Sequence, residues 1–196
     1  MKEPLDAYIK QFSKVKILRS DKRQGLIKAR LRGAAIAKGP VITFLDSHIE
    51  CTAGWLEPLL DRIAEHSRTV VCPVIVEIND NTFKISEYES PRHLHIGAFD
   101  WNLNFNWYEI PQREQKRRIN PASDPLQTPA MAGGLFSIDK QFFEQLGTYD
   151  PSFEFWGAEN LELSFKTWMC GGILEILPCS NVGHIYRDSP LKVCKT

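Results

Sequence analysis

Five consecutive apolar or β-branched residues, 41–45 (VITFL), run straight into Asp46-Ser47-His48, with an amphipathic segment on either side. A run that short and that apolar reads as a buried strand, and in an open α/β sheet ligands bind at the carboxyl ends of such strands. A carboxylate and an imidazole therefore stand where a strand delivers side chains to its edge. Upstream, residues 24–38 (QGLIKARLRGAAIAK) are rich in strong helix formers and set Ile27, Leu31, Ala34 and Ala35 on one face. Gly39-Pro40 stops that helix. Downstream, Trp55, Leu56, Leu59, Leu60 and Ile63 recur at helical spacing, with Pro58 in the first turn, where a missing N–H costs little. The β-branched stretch 70–78 (VVCPVIVEI) reads as the next strand, its proline marking an irregularity or an edge. With a short helix over residues 5–12 and a strand over 15–18, this alternation is the grammar of a parallel α/β sheet.

The middle of the chain changes character. Residues 96–107 (IGAFDWNLNFNW) are aromatic, with Asn alternating through part of the run, which suggests a hairpin with one wet face. The basic run 113–118 (REQKRR) reads as a solvated loop or helix face. Residues 120–129 (NPASDPLQTP) hold three prolines among turn residues and read as a mobile loop. Residues 131–138 (MAGGLFSI) read as a strand whose glycines mark the close approach of another backbone or a ligand. Asp139 caps a short helix that ends before Gly147. Residues 162–169 form a helix with Phe165, Trp168 and Met169 inward; Gly171-Gly172 ends it and 173–177 is a strand.

At 196 residues and 43% apolar content the chain can build one domain with a real core, or a large part of one. Its 24 basic residues balance its 24 acidic ones, so there is no net field to attract nucleic acid or an anionic membrane. No apolar stretch approaches a membrane span, and the first residues lack a signal-peptide core. The five cysteines show no paired CxxC spacing, which disfavours a zinc knuckle. Buried free thiols are the simplest reading, and in a disulfide-bonded secreted chain at least one cysteine would lack a partner within this sequence.

A second imidazole, His184, follows another strand-like run (NVGHIYR) far downstream. Two imidazoles and a carboxylate suit a divalent cation. Taken singly, an Asp after a strand is as a rule a cap and a His is surface or satisfied core; the surrounding text is what raises the metal reading.

Eight segments in this order, RQGLIKARLRGA, VITFLDSHIE, GWLEPLLDRI, VVCPVI, FDWNLNFNW, TPAMAGGLFSIDK, WGAENLELSFKTWMCGG and LEILPCSNVGH, span nearly the whole chain. Together they resemble the polypeptide N-acetylgalactosaminyltransferases, the retaining enzymes that start mucin-type O-glycosylation. The resemblance implies an α/β fold of the glycosyltransferase A type (Rossmann-like), binding UDP-GalNAc and Mn²⁺ on one side and a polypeptide bearing Ser/Thr on the other. It implies that Asp46 and His48 are the DxH metal ligands and His184 the third, holding a Lewis acid that stabilises the departing diphosphate. By the same resemblance, Arg23, Ser47 and Arg187 lie near the nucleotide, Gly133 and Gly134 let the sugar lie against bare backbone, and Trp156 moves over the sugar nucleotide. Glu159 matches the acidic residue of the WGGEN motif and is expected to hold the sugar or acceptor hydroxyl; it and the ligand Asp46 are the residues the resemblance implies for the chemistry. Phe105 and Trp107 match aromatics of the acceptor groove; read from residue type alone they are hairpin core. Retention is open to double displacement through a carboxylate nucleophile, or to front-face attack in which the leaving phosphate takes the acceptor's proton.

The chain also departs from that family. The N-terminal strands that hold uracil and ribose there have no counterpart, so residues 1–196 are expected to be a single, incomplete catalytic domain with an uncovered sheet edge, weak uridine affinity and no lectin domain. After Arg187 the text (DSPLKVCKT) diverges, with no tyrosine near Leu191. Ile49 stands where a cysteine is frequent, and Ala158 in WGAEN replaces a glycine, tolerable only if its backbone does not need positive φ. Cys170 and Cys179 are expected to pair outside this sequence unless Cys194 substitutes. The chain then reads as a fragment, a truncated gene model or a degenerate paralogue of a Golgi lumenal enzyme whose full-length form is a type II membrane protein. Three functions follow: a Mn²⁺-dependent transferase, an inactive segment that retains only acceptor-peptide or partner binding, or a metal-binding α/β protein unrelated to sugar transfer.

Overall fold

The structure, a computed structural model, describes residues 3–86, 94–154 and 157–186. Its elements run α1 (Glu3–Ile9), α2 (Leu26–Ile36), β1 (Val41–Phe44), β2 (Ile49–Cys51), α3 (Glu57–Glu65) and β3 (Thr69–Ile78). There follow β4 (His95–Phe99), β5 (Phe105–Glu109), α4 (Gln112–Arg117), β6 (Leu126–Gln127), β7 (Phe136–Asp139), α5 (Lys140–Gln145), α6 (Glu159–Met169) and β8 (Ile173–Ile185). The main sheet has the order β1-β7-β3-β8-β2, with β6 also paired to β8, and β4-β5 forms a separate hairpin.

The alternation of β3 explains the layering. Val70, Cys72, Val74 and Val76 face the larger core with Ile27, Phe44, Phe136, Phe143 and Leu163, whereas Val71 faces a smaller core with Leu59, Ile63 and Leu177. Helix α3 thus covers one face, and α2, α5 and α6 cover the other. Each fully buried aliphatic side chain contributes roughly 1.5–3 kcal/mol, so the doubly covered β3 dominates the core.

The helices over residues 24–38 and around Leu59 form as expected, as do the hairpin, the Asp139 cap and the strand at 173–177. The Asp139 side chain accepts from the Phe142 N–H at 2.8 Å. The sheet, however, is mixed rather than parallel. β1 and β3 do run the same way, but β7, antiparallel to both, lies between them. Among the described residues only β3 and β8 are parallel neighbours. Because β3 is central, Pro73 marks an irregularity and not an edge: the register with β8 shifts between Pro73 and Val74, so Leu177 pairs with Pro73 and Asn181 with Val74. That shift hands β8 from β6, paired over Leu126–Gln127, to β2, paired over Ile49–Cys51.

Four other expectations are corrected. Residues 15–18 form no strand; Val15, Lys16 and Leu18 are exposed and Ile17 half-buried, with no ladder partner among the described residues. The strand expected over 131–138 is ordered as a strand only from Phe136, because Gly133 turns at φ 87°. On α6, Met169 is 85% exposed and Trp168 points its indole N–H to the Pro129 carbonyl; the buried face is Leu161, Leu163, Ser164 and Thr167. Ser164 and Thr167 satisfy their hydroxyls on the helix backbone, which lets small polar residues replace aromatics there. Finally, the basic run is a solvated helix face only in part: Arg113, Gln115, Lys116 and Arg117 are exposed as expected, but Glu114 and Arg118 are buried. Arg117 grips Glu114 through Nε (2.8 Å) and Nη2 (2.6 Å), and Arg118 is buried against the carbonyls of Pro121 and Asp124. These two arginines fasten the proline-rich loop to α4.

Candidate metal centre

β1 ends at Phe44, and the turn that follows carries Asp46 and His48 before β2 begins. β2 pairs antiparallel with β8 so that Ile49 lies opposite His184, and the Ile185 N–H donates to the His48 carbonyl at 3.1 Å. This register is what brings two imidazoles far apart in sequence side by side. Their ring centroids are 4.5 Å apart at 70°. Asp46 Oδ2 lies 3.7 Å from His184 Nε2. One potential ligand atom from each of Asp46, His48 and His184 falls within 4.8 Å of the others. Ligand bonds of about 2.0–2.2 Å put two donors of one ion at most about 4.4 Å apart, so small side-chain rotations suffice to close the set.

The electrostatics fit a cation. Burial pushes the His184 imidazole below its usual value of 6.5, and the neighbouring His48 adds to this, with Asp46 opposing. The neutral form is the one that ligates. His184 Nδ1 is buried and has no hydrogen-bond partner among the described residues. An oxygen and two nitrogens as donors suit a borderline divalent ion such as Mn²⁺.

Around this triad the chain is shaped to admit Asp46. A Cβ at Gly134 would stand 2.5 Å from Asp46 Oδ2, so only glycine leaves the carboxylate room. At Gly133, φ is 87° and a Cβ would meet that of Asn160 at 2.7 Å. Asn160 in turn donates to the Met131 carbonyl at 3.0 Å, which seats the start of α6 against the two glycines. Glu159, buried at that same helix start, accepts from the Gly157 N–H at 3.0 Å.

Arg30 is the residue that sequence reasoning missed. It is 9% exposed and donates to Asp46 Oδ1 at 3.0 Å and to the Gly133 carbonyl at 2.6 Å. Its signal was present: Ile27, Arg30 and Ala34 are the buried residues of α2, so a guanidinium sits inside the apolar stripe, while Ala35, expected there, is exposed. A charge in that position needs partners.

The remaining expected residues are dispersed. Ser47 is exposed between the two ligands, and Arg23 is exposed ahead of α2. Trp156 and Arg187 lie outside the described residues, as does Cys194. Phe105 and Trp107 are on the hairpin, ring centroids 5.2 Å apart and edge to face. Trp107 is 44% exposed, so the hairpin-core reading does not hold for it. The hairpin is nevertheless tied to the segment leading into the glycines: the Ala130 N–H donates to the Gly97 carbonyl at 2.9 Å. Ala158 takes φ 63°, against the expectation that alanine stands there only where positive φ is not required. Cys51, Cys72, Cys170 and Cys179 are free thiols; burial pushes Cys72 up to about 12.

Comparison with known proteins agrees with this geometry. Residues 1–143 match the family model for glycosyl transferase family 2, and residues 113–188 match that for the N-terminal domain of galactosyltransferase. The chain is 62% identical over 193 residues to polypeptide N-acetylgalactosaminyltransferase 5 of Caenorhabditis elegans, covering 97% of this chain and 30% of that protein. It is 56% identical over 190 residues to polypeptide N-acetylgalactosaminyltransferase 13 of Homo sapiens, covering 96% and 34%. A crystal structure of GalNAc-T7 with UDP, GalNAc and Mn²⁺ superposes with a TM-score of 0.89 at 43% identity, covering 95% of this chain and 35% of that one. The chain thus spans about a third of the length of the relatives it matches. It belongs to glycosyl transferase family 2, as a segment of the polypeptide N-acetylgalactosaminyltransferase type.

Proposed function

We propose that residues 1–196 form part of one catalytic domain that transfers GalNAc from UDP-GalNAc to Ser/Thr hydroxyls of polypeptides, with retention and dependence on Mn²⁺. The observation that carries this reading is the convergence of Asp46 and His48, from the turn between β1 and β2, with His184 of β8, so that one potential ligand atom of each lies within 4.8 Å of the others. Bound there, Mn²⁺ supplies Lewis-acid stabilisation of the negative charge that builds on the UDP leaving group. The protein's own residues do the rest. Gly133 and Gly134 present backbone without side chains beside the cation, where a sugar can lie close. Glu159, seated beside them through Asn160, holds a sugar or acceptor hydroxyl. Arg23, exposed ahead of α2, Ser47, exposed between the two ligands, and Arg187 contact the nucleotide, and Trp156 covers the sugar. Phe105 and Trp107 offer an aromatic surface to the acceptor peptide. The acceptor oxygen bonds to the anomeric carbon as the bond from that carbon to the diphosphate oxygen breaks, and the hydroxyl proton leaves with the phosphate or a carboxylate. A secretory setting in the Golgi lumen, with Cys170 and Cys179, free among the described residues, pairing with cysteines outside this sequence, accords with this activity.

The test is transfer itself, with this chain and a version extended at both termini given UDP-GalNAc, Mn²⁺ and a Ser/Thr peptide. Mass spectrometry is expected to find the peptide carrying one N-acetylhexosamine, and none with His184→Ala. Peptide binding without transfer by the extended chain would favour the inactive, acceptor-binding reading instead.

A further inference from the structure

We propose that Arg30 is the positioning residue of this centre: its guanidinium fixes the rotation of the Asp46 carboxylate so that Oδ2 alone faces the two imidazoles. The proposal rests on the metal reading above and goes one step past the ligands.

Four acceptors meet one guanidinium. Nη2 donates to Asp46 Oδ1 at 3.0 Å and to the Gly134 carbonyl at 3.3 Å. Nη1 donates to the Gly133 carbonyl at 2.6 Å and to the Tyr149 hydroxyl at 3.3 Å. These partners lie 16 to 119 residues away along the chain, so the fork joins three remote segments at the point where they must be in register. The Phe44 ring lies 5.8 Å from the guanidinium carbon and backs it on the core side. Asp46 is thereby divided. One oxygen is occupied by Arg30, and the other is pressed toward Gly134 and lies 3.7 Å from His184 Nε2. With both sides of the carboxylate engaged, its torsion is set before any ion arrives.

Charge alone does not account for the arrangement. A permanent cation beside a metal carboxylate repels a divalent ion, so what Arg30 adds must be geometric. That geometry is particular to arginine, whose planar fork serves several acceptors at once, whereas lysine carries the same charge as a compact point. The same grip holds both glycine carbonyls and so couples the cation's carboxylate to the bare backbone beside it.

The test compares Arg30→Lys with wild type and with Arg62→Lys, which loosens another arginine grip, on the buried Glu175, away from the centre. Mn²⁺ affinity is read by electron paramagnetic resonance and folding by thermal melts. Arg30→Lys is expected to lose about 10- to 100-fold in Mn²⁺ affinity. Arg62→Lys is expected to melt earlier with unchanged affinity. A folded Arg30→Lys that binds Mn²⁺ like wild type overturns the proposal. A second readout, the Arg30 guanidinium N–H resonances of the wild-type protein without metal, is expected to be slowly exchanging and to move in Asp46→Asn. Resonances that exchange freely, or ignore Asp46→Asn, overturn the proposal even if Arg30→Lys fails to fold. Wild type that takes up no Mn²⁺ would sink the metal reading, and the resonances would then decide the Arg30–Asp46 grip alone.

Discussion

Ala158 precedes α6 with φ 63° and ψ −7°, a left-handed conformation that costs an L side chain roughly 1–2 kcal/mol. Glycine occupies that region freely, so Ala158→Gly is expected to stabilise the protein by about 1 kcal/mol, less the entropy it returns to the unfolded chain. A thermal midpoint that falls in this variant would contradict the assignment of strain. His184 makes a prediction about pH. Its folded value lies below the usual 6.5, so between the two values the unfolded chain binds more protons. Its contribution to stability is therefore complete above pH 6.5 and is lost as pH falls through the folded value. Cation binding is expected to weaken over the same descent, since a protonated imidazole cannot ligate; affinity that stays flat from neutral pH down to pH 5 would contradict it. At this scale the ligands were legible because Asp46, His48 and His184 each follow a short apolar run. Arg30 was not, because on α2 it reads as one more exposed basic residue until the buried stripe through Ile27 and Ala34 is seen.

Among the elements, long periodic segments declared themselves and short ones did not. Helices α2 and α3 carry enough repeats for a face to show, and β3 is β-branched except at Cys72, Pro73 and Glu77. The stretch 131–135 resembles a strand in composition, yet its carbonyls at Gly133 and Gly134 bond to Arg30 rather than to a neighbouring strand. Only tertiary structure decides that competition. The hairpin formed where expected, but its exposed face could not be read from residue type. With Trp107 44% exposed, Trp107→Ala is expected to leave the thermal midpoint nearly unchanged and to weaken acceptor peptide more than UDP. A large loss of stability would return Trp107 to the hairpin core. Gly134→Ala belongs here too: its Cβ would stand 2.5 Å from Asp46 Oδ2, so cation affinity is expected to fall while the sheet survives. Unchanged affinity would show that the carboxylate can move aside.

Across the whole molecule, the mixed sheet is the device that builds the site. Inserting β7 between β1 and β3, and shifting β8 at Pro73, places the end of β1 and the end of β8 at a common edge. Strand order of this kind is set by long-range pairing, which is why helix–strand alternation indicated α/β but suggested parallel neighbours. A half-buried ion pair holds the opposite end: Arg62, itself partly exposed, grips Glu175, fully buried on β8, at 2.7 and 3.1 Å. Removing the arginine takes both hydrogen bonds from that carboxylate, so Arg62→Ala is expected to cost about 1–3 kcal/mol. The central claim is that two remote stretches of chain share one cation, and the most direct measurement is a Mn²⁺ titration of the whole chain followed by electron paramagnetic resonance. One tight ion per chain is expected in wild type and none in either His48→Ala or His184→Ala, each still folded. Wild-type affinity in either variant would contradict the claim.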